Sequence, residues 1–169
     1  MCKDELLSNL SRIDKHVFLS FGDSERFRVI IVGGSALVLR GHLERSTADI
    51  DIIQADRRLY EIMSLYDANG RVGAYENNFP YNYEDRIEKI YSGVIIDFYT
   101  ASLEDIVISK LYSFRDDDYA DVCNMAEKIN WDILAKLAFD EDEAKASALN
   151  EKNYQDFLVN YRRFEKEHR

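Results

Sequence analysis

Val29-Ile30-Ile31-Val32 runs directly into Gly33-Gly34-Ser35 and then into Ala36-Leu37-Val38-Leu39. A continuous β-branched run reads as a buried strand, two glycines break it, and the apolar residues beyond resume with helical character. The chain must therefore turn sharply from strand into helix at Gly33. A helix that follows a buried strand this closely packs against the sheet to which the strand belongs.

The remaining signals supply such a sheet. Residues 48–53, Ala-Asp-Ile-Asp-Ile-Ile, alternate as a second strand, and residues 87–91, Ser92-Gly93 and 94–99 read as a hairpin closed by a tight turn. Between them Leu59, Ile62, Met63 and Tyr66 mark a helix ending near Asn69-Gly70, and residues 71–75 read as a short strand. An Asn- and Tyr-rich loop over 77–83 surrounds Pro80, the one proline. Leu6, Leu10, Ile13, Val17 and Phe21 step by three or four, which predicts an amphipathic helix within residues 1–22. Ser102 and Asp105 form a capping-box start for a helix to about Phe114. Helical patterning continues to the end, with breaks near Asn130, Asp140 and Asn150 and a stripe of Tyr154, Phe157, Leu158 and Tyr161. The fold class expected is α/β in the broad sense (α+β): a small mixed β-sheet flanked by helices, with a helical C-terminal extension over 130–169. At 169 residues the whole is expected to be a single domain with its core in 28–125.

Composition limits the function. Hydrophobic residues at 46% argue for a folded globule, and 32 acidic against 22 basic side chains give a net charge of −10. That charge disfavours a surface adhering to nucleic acid phosphates throughout, so any such contact must be local. Cys2 and Cys123 do not form a ligand-spaced pair, which excludes a zinc cluster and makes a reducing cytoplasm the default. The longest uncharged apolar run, 29–39, is far short of a bilayer span, so no membrane or targeting segment is expected.

Four features carry chemistry. Asp49 and Asp51 lie two apart in a strand, so both carboxylates leave one face; a solvated acidic face is the plainer alternative to a metal site. Asp97, within the apolar run Val94-Ile95-Ile96-Asp97-Phe98-Tyr99, has no reason of its own to sit there. Together the three make an oxygen cage for hard divalent ions, unless Asp97 pairs with a basic residue such as Arg45 or Lys110. The Gly33-Gly34-Ser35 turn opens backbone N–H groups to an anion, or Ser35 merely caps its helix. Lys110 falls mid-stripe on an otherwise apolar helix face, where its ammonium must snorkel out or meet an anion. Asp118 and Asp121 fit a helix's first turn, the Tyr- and Asn-rich loop suits stacking or cover, and Cys123 reads as a core residue.

Gly33-Gly34-Ser35, thirteen intervening residues, Asp49-Ile50-Asp51 and a later hydrophobic-flanked Asp97 resemble the nucleotidyltransferase superfamily of the polymerase β type. Arg45-Ser46-Thr47-Ala48-Asp49-Ile50-Asp51 resembles the R-x-T-x-D-x-D run of its AbiEii-like group of minimal nucleotidyltransferases, and Lys110 with Asp118 and Asp121 resembles that group's downstream lysine and D-x-x-D helix. The resemblance covers residues 28–125. It implies that Asp49, Asp51 and Asp97 ligate two magnesium ions, that Gly33, Gly34, Ser35 and Lys110 hold a nucleoside triphosphate, and that Arg45, Thr47, Asp118 and Asp121 support the site. The implied reaction is attack by an acceptor on the α-phosphate, releasing pyrophosphate. The acceptor is a tRNA, a protein or a small molecule, and the group includes toxins that act with an antitoxin protein. A catalytically silent protein on the same fold, acting as a binding module for a protein partner, is the rival.

Overall fold

The apolar stripe at the start of the chain does what its spacing predicts: Leu6, Leu10, Ile13 and Val17 are fully buried along α1 (Lys3–Phe21). The structure, a computed structural model, describes Met1–Arg169 and divides into two compact units, Met1–Ala74 with Ile87–Ala101 and Tyr75–Arg86 with Ser102–Arg169. The expected core of 28–125 draws on both.

The first unit holds α1, β1 (Phe27–Val32), α2 (Gly33–Leu39), β2 (Ile50–Gln54), α3 (Tyr60–Ser64), β3 (Ala68–Asn69), β4 (Glu88–Ser92) and β5 (Ile96–Thr100). The mixed sheet has the order β3-β2-β1-β5-β4. β1 lies at its centre, antiparallel to β2 and parallel to β5, which explains why residues 29–32 are apolar without alternation: both faces are covered. Asp14 of α1 is buried and accepts hydrogen bonds from the backbone N–H groups of Val94, Ile95 and Ile96 at 2.7–3.0 Å. The β4–β5 connection is thus anchored by a carboxylate rather than by a two-residue turn alone, and β5 starts at Ile96, later than the patterning predicts. The short strand expected over 71–75 is a 3₁₀ segment (Arg71–Asn78) instead. Gly73 donates to the carbonyl of Gly70, closing a local turn where a strand would need a ladder partner.

The second unit is helical: α4 (Leu103–Tyr112), α5 (Asp116–Asn124), α6 (Trp131–Phe139), α7 (Ala144–Ser147) and α8 (Glu151–His168). Its boundaries follow the sequence signals closely. Ser102, Asn130 and Asn150 cap α4, α6 and α8 through their side chains, and Asp140 ends α6. Tyr154, Phe157, Leu158 and Tyr161 are buried on α8, with the Phe157 ring stacked on Tyr112. Arg86, in the 3₁₀ turn Tyr83–Arg86, reaches the fully buried Asp105 at 2.8 Å and the largely buried Glu143 at 2.9 Å. Burial alone pushes the Glu143 carboxyl up, but the Arg86 guanidinium together with hydrogen bonds from the Asn82 backbone and side chain holds it below its usual range. No helix is long and apolar enough to cross a membrane.

Candidate functional site

The site grows from the end of β1 in the first unit. Val32, its last residue, is level with Asp51 on β2. Gly33 then takes a φ of +69°, and a Cβ there would lie 2.5 Å from Oδ2 of Asp51. Only a residue without a side chain both adopts that backbone conformation at little cost and leaves room for the carboxylate. One residue on, a Cβ at Gly34 would come 3.0 Å from Nη2 of Arg45. Arg45 and Asp51 therefore lie against consecutive glycines, a cation and an anion on one turn.

Ser35 has a different task from the expected phosphate contact. It is fully buried; its hydroxyl donates to the Val32 carbonyl at 3.0 Å and accepts the N–H of Asp51 at 3.2 Å. Neither phosphate binding nor helix capping describes it: the hydroxyl ties the turn to β2 and fixes the residue that carries the carboxylate.

Asp49 precedes β2, its side chain 42% exposed. Asn69 Nδ2 donates to its Oδ2 at 3.3 Å, and Arg71 lies 3.6 Å from the same oxygen. Thr47 supports this segment through its hydroxyl, which donates to the Asp49 carbonyl at 3.3 Å. The Thr47 backbone is held in turn by Met1, whose ammonium donates to its carbonyl and whose carbonyl accepts its N–H. Asn69 and Arg71 carried no sequence signal beyond the Asn-Gly turn between them.

Asp97 does not join this pair. It is level with Arg28 on β1, whereas Asp51 is level with Val32, four residues further along the strand. At ~3.3 Å per residue, with β1 standing between β2 and β5, the two aspartates are roughly 15 Å apart along and across the sheet. β5 comes level with the site only at its end, where Thr100 faces Ile31 and the Ala101 N–H donates to the Ile31 carbonyl, and neither brings a carboxylate. The three-carboxylate cage is thus corrected to two carboxylates. Asp97 instead forms an ion pair, with Arg26 rather than Arg45 or Lys110: Nε and Nη2 of Arg26 donate at 2.9 and 2.7 Å, and the Ser92 hydroxyl adds a third bond at 2.7 Å. The Arg26 hydrogen bonds hold its carboxyl well below the usual carboxylate range.

Lys110, Asp118 and Asp121 lie in the second unit and find one another. The Lys110 ammonium, 7% exposed as a residue, donates to Asp118 at 3.0 Å and Asp121 at 3.1 Å, and the Ser113 hydroxyl also donates to Asp118 at 2.6 Å. In this arrangement the charge at the centre of the apolar stripe is neutralised by the two acids expected to support the site. In the same unit the Tyr- and Asn-rich loop lines a cavity of about 660 Å³ bearing the carboxylates of Glu76, Glu84 and Asp85 and no basic side chain. That lining repels a polyphosphate.

Asp49 and Asp51 offer oxygen donors only. Such a pair suits a hard ion like magnesium, which is commonly held by one or two carboxylates and completed by substrate phosphates and water. Residues 8–169 match a family model described as "Nucleotidyltransferase of unknown function (DUF6036)". No curated protein and no solved structure matches the chain.

Proposed function

The chain belongs to this nucleotidyltransferase family, and we propose that it transfers a nucleoside monophosphate from a nucleoside triphosphate to an acceptor, with Asp49 and Asp51 holding magnesium. The observation that carries this reading is the seating of Asp51 on Gly33, which sets a carboxylate beside an open strand-to-helix turn. Magnesium bound there would neutralise phosphate charge and polarise the α-phosphate.

The protein's own residues do the rest. The Gly33-Gly34 backbone, with Arg45 beside Gly34, receives phosphate oxygens; Ser35 and Thr47 keep β2 in place beneath them. Asn69 and Arg71 orient Asp49, and Arg71 partly offsets its charge before an ion arrives. Catalysis on this reading comes from positioning and charge complementarity, since nothing covalent is asked of the protein. The toxin half of a two-protein module in the cytoplasm, modifying tRNA, a protein or a small molecule, is the biological setting we infer from the AbiEii-like run Arg45–Asp51.

A catalytically silent binding module is the second reading. It is favoured by one observation, the lack of a third carboxylate level with Asp51 on β5. Incubation with the four α-labelled nucleoside triphosphates, magnesium and fractions of total RNA, protein and small metabolites separates the two. Label entering one fraction, and lost with Asp51→Asn, supports transfer; no label transferred to any fraction supports the silent module.

A further inference from the structure

Sequence spacing excludes a cluster built from cysteine pairs, but the helices of the second unit bring other ligands to Cys123. Cys123 is on α5, and Glu167 and His168 end α8. Nε2 of His168 is 3.2 Å from Sγ of Cys123 and 3.8 Å from Oε2 of Glu167, and one donor atom from each residue lies within 4.8 Å of the other two. Tetrahedral zinc, with bonds of about 2.0 Å to nitrogen and oxygen and about 2.3 Å to sulfur, requires roughly 3.5 Å between N and S and roughly 3.3 Å between N and O. The side chains stand within about half an ångström of both separations.

We propose that Cys123, Glu167 and His168 form a binding site for a zinc-like divalent ion, with water in the fourth position. Consecutive helical residues diverge by about 100°, so Glu167 and His168 turning toward one thiol is not what helix geometry provides by default. A second layer holds the carboxylate in place. The Tyr119 hydroxyl donates to its Oε2 at 2.7 Å, Arg163 Nε donates to Oε1 at 3.2 Å, and the Arg163 guanidinium lies 4.2 Å from the Tyr119 ring centre. Outer contacts of this kind orient metal ligands. A thiolate, an imidazole and a carboxylate select zinc or cobalt over magnesium, which keeps this site chemically separate from Asp49 and Asp51. Binding passes the thiol proton to solvent and ties α5 to the end of α8.

The simpler alternative is a thiol-to-imidazole hydrogen bond beside an Arg163–Glu167 ion pair, and cobalt distinguishes the two. In the full chain carrying Cys2→Ser, Cys123 is the one thiol left. Titration with cobalt(II) is expected to give thiolate-to-metal charge-transfer absorption that saturates at one equivalent, is displaced by zinc and is not displaced by magnesium. Affinity is expected to fall at least tenfold in His168→Gln and in Glu167→Gln, and zinc is expected to raise the melting temperature of the parent but not of His168→Gln. Both positions end a helix and are partly open, so those variants keep the fold. Absence of the absorption at one equivalent, or undiminished affinity in His168→Gln, would overturn the site.

Discussion

The carboxylate of Asp51 occupies the space that a side chain on Gly33 would need, with Oδ2 2.5 Å from the position of a Cβ there. Two demands converge on one residue: a backbone in the left-handed region and room for an anion.

Gly33→Ala violates both demands, whereas Gly41→Ala violates only the first, since Gly41 has a φ of +75° with open space around it. Backbone strain alone costs on the order of 1–2 kcal/mol. Urea denaturation should show about that loss for Gly41→Ala and a larger one for Gly33→Ala, and only the latter should weaken magnesium-dependent nucleotide binding.

Ser35→Ala removes the hydroxyl that joins Val32 and Asp51. A lost buried bridge of this kind costs about 1–3 kcal/mol, measurable by the same denaturation series. Because the hydroxyl positions Asp51 and is itself inaccessible, adding phosphate or nucleotide should not protect the wild type by contact with it. The variant should lose magnesium affinity and nucleotide affinity together.

Asp97→Asn should leave nucleotide binding unchanged and lower stability near neutral pH. The Arg26 pairing depresses the folded carboxyl, so its contribution is complete above the ordinary carboxylate range, about pH 4, and fades as pH falls below that through the lower folded value. The stability gap between wild type and variant should therefore close on acidification. A gap that widened would contradict the pairing.

Lys110→Met withdraws the ammonium shared by Asp118 and Asp121, whose side chains are 15% and 8% exposed. Loss of one partner from a buried charged group costs on the order of 3 kcal/mol. Chemical denaturation should show that loss, and adding Asp121→Leu to Lys110→Met should recover part of it.

Much of this architecture was legible in the sequence, because local physics dictated it. Residues 29–34 read as a buried strand ending in a turn, Ser102 as a helix start, and Asn130 and Asn150 as breaks, which the structure shows to be caps. What sequence could not supply was register. Asp97 looks functional because it interrupts an apolar run, yet whether β5 brings it level with Arg28 or with Val32 depends on how far β5 slides along β1. Its partner, Arg26, is 71 residues away and carries no pattern. Ser35 misled for a related reason: a hydroxyl after two glycines suits a phosphate, and only its burial and its hydrogen bond from the Asp51 N–H show that it faces β2 instead. Cys123 lay on a helix face whose neighbours at 167 and 168 no spacing rule connects.

On the proposed function, Asp49 and Asp51 hold magnesium and a nucleoside triphosphate against the Gly33-Gly34 turn. Calorimetric titration with a non-hydrolysable triphosphate, with and without magnesium, tests it most directly in the wild type and in a folded Asp51→Asn variant. Binding is expected to require magnesium and to fall at least tenfold in the variant. Binding that ignores magnesium, or that Asp51→Asn leaves intact, would contradict it.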